Sequence, residues 1–159
     1  MQSPIGPLLL AATEKGLRYL QFDRGKLPQL SAREVWIESR AALKPYTDQL
    51  CAYFRGELRE FTCDLDLQGT AFQKKCWEAL RTIPYGATCS YADLARKVGS
   101  PRAFRAVGQA NHQNPVAIIV PCHRVIGADG TLTGYGGGLS IKEKLLRLEG
   151  AAAQPAFRF

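Results

Sequence analysis

Cys122 and His123 are adjacent in this chain and are the residues whose types could do covalent chemistry. A thiolate is a strong, soft nucleophile, and an imidazole or a nearby cation favours it over the thiol. Arg124 supplies such a cation, so Pro121-Cys122-His123-Arg124 reads as a candidate nucleophile segment. It follows Val116-Ala-Ile-Ile-Val120, a β-branched run that predicts a buried strand. It precedes residues 127–138, which hold six glycines and would let backbone approach a ligand closely. Extended backbone sends successive side chains to opposite faces, so His123 reaches Cys122 only through a bridging water or a sharp turn. A protease-like dyad is therefore a poor fit. Adjacency alone favours a blander reading, a buried cysteine beside surface side chains.

The other four cysteines are Cys51, Cys63, Cys76 and Cys89. The total is odd, no CxxC occurs, and a chain of 159 residues with 46% hydrophobic residues needs no disulfide staples. A reducing cytoplasm is the expected home, with most cysteines buried as small hydrophobes. No metal is expected, because His112 and His123 lie at no finger spacing from a cysteine pair. No cofactor is called for, no run of apolar residues is long enough to cross a membrane, and the N-terminus lacks the pattern of a signal peptide.

The elements that must position the site divide at Gln68-Gly69. Pro7–Thr13 and Gly16–Phe22 read as a β-hairpin and residues 24–32 as a loop. A helix is expected from about Ser39 to Phe54, with Leu43, Leu50, Tyr53 and Phe54 inward. Alternation of Phe61, Cys63, Leu65 and Leu67 predicts a strand over 61–67. Residues 1–67 thus form a small α/β module.

Residues 70–150 are mostly helical. Thr70-Ala-Phe-Gln73 is a capping box, followed by Phe72, Cys76, Leu80 and Ile83 at helical spacing. Ser90-Tyr-Ala-Asp93 opens a second helix that Gly99 closes. Ser100 as N-cap and Pro101 at the first helical position predict a third helix over about 101–111. Ala103, Ala106, Val107 and Ala110 fall on one face of it, Arg102, Arg105 and Gln109 on another. Two short helices joined by Gly99-Ser100 suggest a helix-turn-helix. Ser140-Ile-Lys-Glu143 reads as a capping box for a last helix that Gly150 ends. Residues 151–159 are a tail, ordered only if Phe157 or Phe159 docks.

Charge points the same way. The chain carries a net charge of +7, and residues 1–68 balance nine basic against nine acidic side chains, so all the excess lies in the second half. From Leu94 to Ala128 there is no acid, while Arg96, Lys97, Arg102, Arg105 and Arg124 are present. Such a field favours a polyanion such as nucleic acid, although a solvated basic surface would look the same.

The run Asn114-Pro-Val-Ala-Ile-Ile-Val-Pro-Cys122-His-Arg-Val-Ile-Gly127 strongly resembles the active-site segment of the O6-alkylguanine-DNA alkyltransferases. Gly134-Tyr-Gly-Gly-Gly138, Leu145-Leu-Arg-Leu-Glu-Gly150, Ser90-Tyr91 and Arg105-Ala-Val-Gly108 match further segments of that family in the same register. The resemblance implies an α/β (α+β) protein with a ribonuclease-H-like N-terminal domain and a mainly helical C-terminal domain. It implies direct-reversal repair of double-stranded DNA carrying O6-alkylguanine, in which the flipped base hands its alkyl group irreversibly to Cys122. O4-alkylthymine, preferred alkyl size and clustering of several monomers on DNA stay open.

Carried over by position, His123 would take the thiol proton through a water and Glu149 would hold that histidine. Asn114 would brace the loop, Tyr91 would contact the extruded guanine, and Arg105 would fill the emptied stack. Ser100, Arg102, Ala106, Gly108 and Arg124 would face DNA, with Val125, Tyr135 and Gly136 lining the base pocket. Phe104, beside the finger, and Ala117 depart from residues that other members carry there.

Chemistry supports this reading independently. An O-alkyl carbon is a soft electrophile suited to thiolate attack, the departing guanine needs a proton or a hydrogen bond, and its target atom lies inside a duplex. Two alternatives remain: a lesion-binding relative that transfers nothing, which would lack the acceptor cysteine, and a helix-turn-helix regulator, which would prefer one palindromic sequence.

Overall fold

The computed structural model describes residues 1–23, 25 and 35–151. The loop expected over 24–32 lies outside these residues except at Gly25, and the tail beyond Ala151 lies outside them altogether. The architecture is mixed α/β, as expected.

The chain opens with a hairpin of β1 (Leu8–Thr13) and β2 (Gly16–Phe22), paired antiparallel with an irregularity between Ala11 and Ala12. Helix α1 (Arg40–Phe54) follows, its first turn capped by the Ser39 hydroxyl, which accepts from Ala42 N at 3.2 Å. Leu50 and Tyr53 are its fully buried residues. The strand expected over 61–67 does not form. Leu65 makes a single bridge to Leu17, fixed by Leu17 N donating to Asp64 O and Asp66 N donating to Leu17 O. The alternation is real, yet β2 offers this segment one bridging position and no ladder.

Helix α2 (Ala71–Arg81) begins with the Thr70–Gln73 capping box, both of its reciprocal bonds present. Trp77 of α2 donates its indole N–H to Ala110 O at 2.9 Å, bracing the helix that carries Arg105. A two-residue strand β3 (Cys89–Ser90) leads into α3 (Tyr91–Lys97), capped by the Ser90–Asp93 box. Helix α4 runs from Phe104 to His112, three residues later than expected at its start. Ala103 N donates to Ser100 O at 2.8 Å, so Ser100-Pro101-Arg102-Ala103 closes a turn instead of a first helical turn. Proline's fixed φ suits the second position of such a turn as well as it suits the first of a helix.

Val116–Val120 is buried throughout but is not a strand. Val116 bridges Leu20, then the chain reverses through Ile118 at φ 73°, with Val120 N donating to Val116 O at 3.0 Å. A β-branched residue rarely adopts that conformation, so the surroundings must enforce it. Cys122–Arg124 is a single 3₁₀ turn, and β4 (Val125–Ile126) pairs in parallel with β3. Helix α5 (Leu139–Leu148) takes Gly138 as its N-cap in place of the expected Ser140. Gly138 enters the helix at φ 93°, and no side chain makes a capping bond. The core is continuous across the molecule: Leu17, Leu20, Leu50 and Tyr53 join Trp77, Leu80, Leu94, Val107, Val116 and Leu145.

Candidate active site

Cys122 is 8% exposed and sits at the start of the 3₁₀ turn. Its sulfur accepts a hydrogen bond from Asn114 Nδ2 at 3.1 Å. The same nitrogen donates to Val120 O at 2.7 Å, and Asn114 Oδ1 accepts from Val116 N at 3.0 Å. One buried amide thus ties both arms of the 116–120 reversal and the sulfur that follows it. Burial pushes the Cys122 thiol above its ordinary pKa, while the Asn114 bond and the Lys142 charge pull the other way. At rest the group is a thiol, and a base is needed to make it a nucleophile.

His123 is fully buried beside it. Its Nε2 lies 2.8 Å from Glu149 Oε1. Glu149 follows α5 and is surrounded by donors. Oε1 also accepts from Tyr53 Oη at 2.7 Å and from an Arg124 terminal nitrogen at 3.0 Å. Oε2 accepts from Arg124 Nε at 2.8 Å and from Gly86 N at 3.3 Å. Burial alone would raise this carboxyl's pKa, but the hydrogen bonds from His123 and Arg124, with the Arg124 charge, prevail and hold it well below the usual carboxylate range. Gly86 must be glycine here: its φ is 78°, and a Cβ would lie 2.7 Å from the Glu149 carbonyl oxygen.

An ionised carboxylate can only accept, so His123 donates through Nε2. Burial lowers the His123 pKa and keeps the ring neutral, despite the opposing pull of Glu149. Nδ1 is then left with a lone pair, and it is buried without a hydrogen-bond partner among the described residues. The result is a thiol, a neutral imidazole with an open basic nitrogen next in the chain, and a carboxylate that fixes the imidazole's tautomer. Of the two routes considered for this pair, a bridging water or a sharp turn, the chain makes the turn, but no direct Cys122–His123 side-chain bond accompanies it.

Arg124, expected to face DNA, is turned inward. It is 6% exposed, grips Glu149 through both Nε and a terminal nitrogen, and donates its other terminal nitrogen to Ile83 O at 2.6 Å. A buried carboxylate demands a charged partner, and the 3₁₀ turn aims this guanidinium at it.

The residues expected to line the base pocket are Val125, Tyr135 and Gly136. Val125 pairs with Cys89, and its carbonyl accepts from Lys142 Nζ at 2.6 Å. Tyr135 stands edge-on to His123 at 6.5 Å and to Phe22 at 5.6 Å between ring centroids, with its hydroxyl buried and unpartnered among the described residues. Gly136 lies in the glycine-rich loop. Tyr91 opens α3, and its ring lies 3.9 Å from where a Cβ on Gly108 of α4 would stand. The remaining DNA-side candidates belong to the α3–α4 pair and its connecting turn: Arg102, Arg105 and Ala106 are exposed, and Ser100 is half-buried. Phe104 is 51% exposed, with the Arg105 guanidinium 6.0 Å from its ring centre. Ala117, at 7% exposure, is buried in the reversal.

Sequence reasoning missed Tyr53 and Lys142 as members of this site. The helical pattern puts Tyr53 on the inner face of α1, but nothing local says that its hydroxyl meets a carboxylate 96 residues later. Lys142 does carry a signal, because it precedes Leu145 and Glu149 at spacings of one and two helical turns. It is fully buried, its Nζ bonded to Val125 O and to Thr133 O at 2.8 Å, and burial lowers its pKa to about 8.

Among the described residues no group of metal-binding side chains gathers, and no helix is long and apolar enough to cross a membrane.

Residues 71–151 match the model of the 6-O-methylguanine DNA methyltransferase DNA-binding domain, and residues 1–67 match that of its ribonuclease-like domain. A methylated-DNA–protein-cysteine methyltransferase of Methanosarcina acetivorans is 53% identical over 150 residues, covering 94% of this chain and 96% of that protein. One from Mycobacterium leprae is 55% identical over 150 residues, covering 94% and 89% respectively. The crystal structure of Mycobacterium tuberculosis OGT in complex with DNA aligns with a TM-score of 0.85 at 54% identity, covering 95% of this chain and 91% of that one.

Proposed function

The chain belongs to the 6-O-methylguanine DNA methyltransferase family, and from that membership and the site geometry we propose that it repairs O6-alkylguanine in double-stranded DNA by taking the alkyl group onto Cys122. The observation that carries this reading is the buried Nδ1 of His123, next to Cys122 in the chain and without a hydrogen-bond partner among the described residues, on a ring whose other nitrogen is held by an ionised Glu149.

The thiol proton passes through a water to His123 Nδ1, and Glu149 stabilises the imidazolium that forms. The sulfur then attacks the alkyl carbon, an S–C bond forms, and the bond from carbon to guanine O6 breaks. The electron pair stays on the guanine, which accepts a hydrogen bond or proton from the Tyr91 hydroxyl as it leaves. No cofactor enters this balance. The product is a thioether that water does not cleave, so one molecule repairs one lesion.

The target atom is inaccessible in a stacked duplex, so the base must be extruded. We assign extrusion to the α3–α4 pair acting as a helix-turn-helix. Arg105 occupies the emptied stack, while Ser100, Arg102, Ala106 and Gly108 lie along the DNA. Val125, Tyr135 and Gly136 line the pocket that receives the base. This divides the labour between residues 70–150, which hold the acceptor and the DNA face, and residues 1–67, which back them.

The test is incubation with an oligonucleotide duplex carrying O6-methylguanine, followed by intact mass and peptide mapping. One added methyl group on the Cys122 peptide is expected, with Cys122→Ser inert yet still bound to DNA. A methyl group on Cys89 or another cysteine would overturn the assignment.

A further inference from the structure

Residues 1–67 are the half of the molecule to which the mechanism gives no chemical part, yet one of their side chains ends on the catalytic carboxylate. Tyr53, in the last turn of α1, is wholly buried, and its hydroxyl donates to Glu149 Oε1 at 2.7 Å. His123 Nε2 donates to the same oxygen at 2.8 Å, with an Arg124 terminal nitrogen as a third donor at 3.0 Å. These donors draw on one atom's charge, whereas Gly86 and Arg124 Nε use the other oxygen. We propose that Tyr53 is a positioning residue for the alkyl transfer: by sharing Oε1 with His123, it sets how strongly Glu149 polarises the histidine, so that the N-terminal half tunes the base. This rests on the reaction proposed above.

Donors on one acceptor oxygen weaken one another, because each takes part of the same negative charge. Without the Tyr53 hydroxyl, Oε1 would pull harder on the Nε2 proton and make Nδ1 more basic. The other groups around the ring stay in place. Glu149, Arg124 and Lys142 act on its charge, Tyr135 stands edge-on, and Cys122 precedes it in the chain. Tyr85 lies farther out, its ring 6.1 Å from that of Tyr53. The Tyr53 hydroxyl itself is held protonated by burial and by the Glu149 charge, so it acts as a fixed donor. The ring is anchored by Phe54 and Phe61 at centroid distances of 5.4 and 5.3 Å, and its removal would disturb packing as well as the bond. Phenylalanine keeps the ring and deletes only the hydroxyl.

The experiment compares wild type, Tyr53→Phe and Leu50→Ala. Leu50 is buried on the same helix and has no polar side-chain atom, so it reports packing loss alone. Two quantities are read against pH: the His123 imidazole resonances, which need no substrate, and the rate of methyl transfer from duplex DNA. In Tyr53→Phe the imidazole titration and the acid limb of the rate profile should both move to higher pH, by on the order of half a unit. Leu50→Ala should lower the melting temperature and leave both pH dependences in place. An unmoved imidazole titration in a folded Tyr53→Phe protein overturns the inference. If the titration moves but wild type transfers no methyl group to Cys122, the reaction fails while the coupling stands, and Tyr53 then loses its role in transfer.

Discussion

Asn114 Nδ2 lies 3.1 Å from Cys122 Sγ and 2.7 Å from the Val120 carbonyl oxygen, so one amide fixes both the acceptor sulfur and the reversal that presents it. With Val116 N bound to Oδ1, the side chain supplies the hydrogen bonds that let Ile118 occupy a left-handed conformation. Asn114→Ala would leave a buried peptide N–H without a partner and remove the bond that favours the thiolate. A stability loss of about 1–3 kcal/mol is expected, together with a higher Cys122 pKa and a slower transfer at neutral pH. Thermal melts and thiol titration by an alkylating reagent check this. A thiol titrating as in wild type would show that Asn114 holds the loop alone.

Arg124 and Arg105 should separate cleanly. Arg124 is buried on Glu149, so Arg124→Ala strands a buried carboxylate and should cost about 3–5 kcal/mol. The salt dependence of DNA binding should not change, because this guanidinium meets no phosphate. A shallower salt slope in a folded Arg124 variant would restore it to the DNA face.

Arg105→Ala should leave the melting temperature nearly unaltered, since the side chain is exposed on α4. Repair of duplex DNA should fall much further than reaction with free O6-benzylguanine. The emptied stack costs a few kcal/mol only when a base has been extruded from it. Equal losses on both substrates would remove the finger role.

The first turns of α2 and α3 were legible because a capping box is a local signal: the reciprocal bonds join residues three apart. Family membership was legible for a different reason, since the segment around Cys122 resembles a known family over many residues. Failures arose where a distant partner decided the outcome. Residues 61–67 alternate as a strand does, yet only Leu65 finds a bridge. Val116–Val120 has strand composition, but Asn114 and Leu20 bend it. Arg124 reads as a surface cation until Glu149, 25 residues later, is seen to need it. Ser140 has the spacing of a cap, but Gly138 has already admitted the chain to the helix.

Acid should destabilise the protein in two stages. His123 has a folded pKa below its ordinary 6.5, so its contribution is complete above that value and is lost as pH falls below it. Glu149 has a folded pKa far below its ordinary 4.5, so its contribution holds above that value and is lost on further acidification. Both groups bind more protons when unfolded, and both slopes therefore have the same sign. Melting temperature should fall from about pH 6.5 downward, and Glu149→Gln should flatten the lower stage. A melting temperature constant from neutrality down to the ordinary carboxylate range would contradict the buried neutral histidine.

Alkylation should weaken the protein that has just acted. Cys122 is 8% exposed, and its sulfur already touches the Asn114 amide at 3.1 Å. A new S–C bond ends the thiol's exchange with His123 and makes the sulfur a poorer acceptor for Asn114. The added group also presses on the close-packed reversal at 116–120, and such overpacking typically costs about 1–3 kcal/mol. Because Asn114 closely follows α4 and holds that reversal, the strain is directed toward the helix that carries Arg105. Benzyl should cost more than methyl wherever the ring cannot lie in the emptied base pocket. For a chain of this size, each kcal/mol lowers the melting temperature by about 2–4 °C. Melts of free, methylated and benzylated protein should therefore descend in that order, with faster proteolysis of residues 104–120 in the alkylated forms. Midpoints equal to or above that of the free protein would mean that the site accommodates its product without strain.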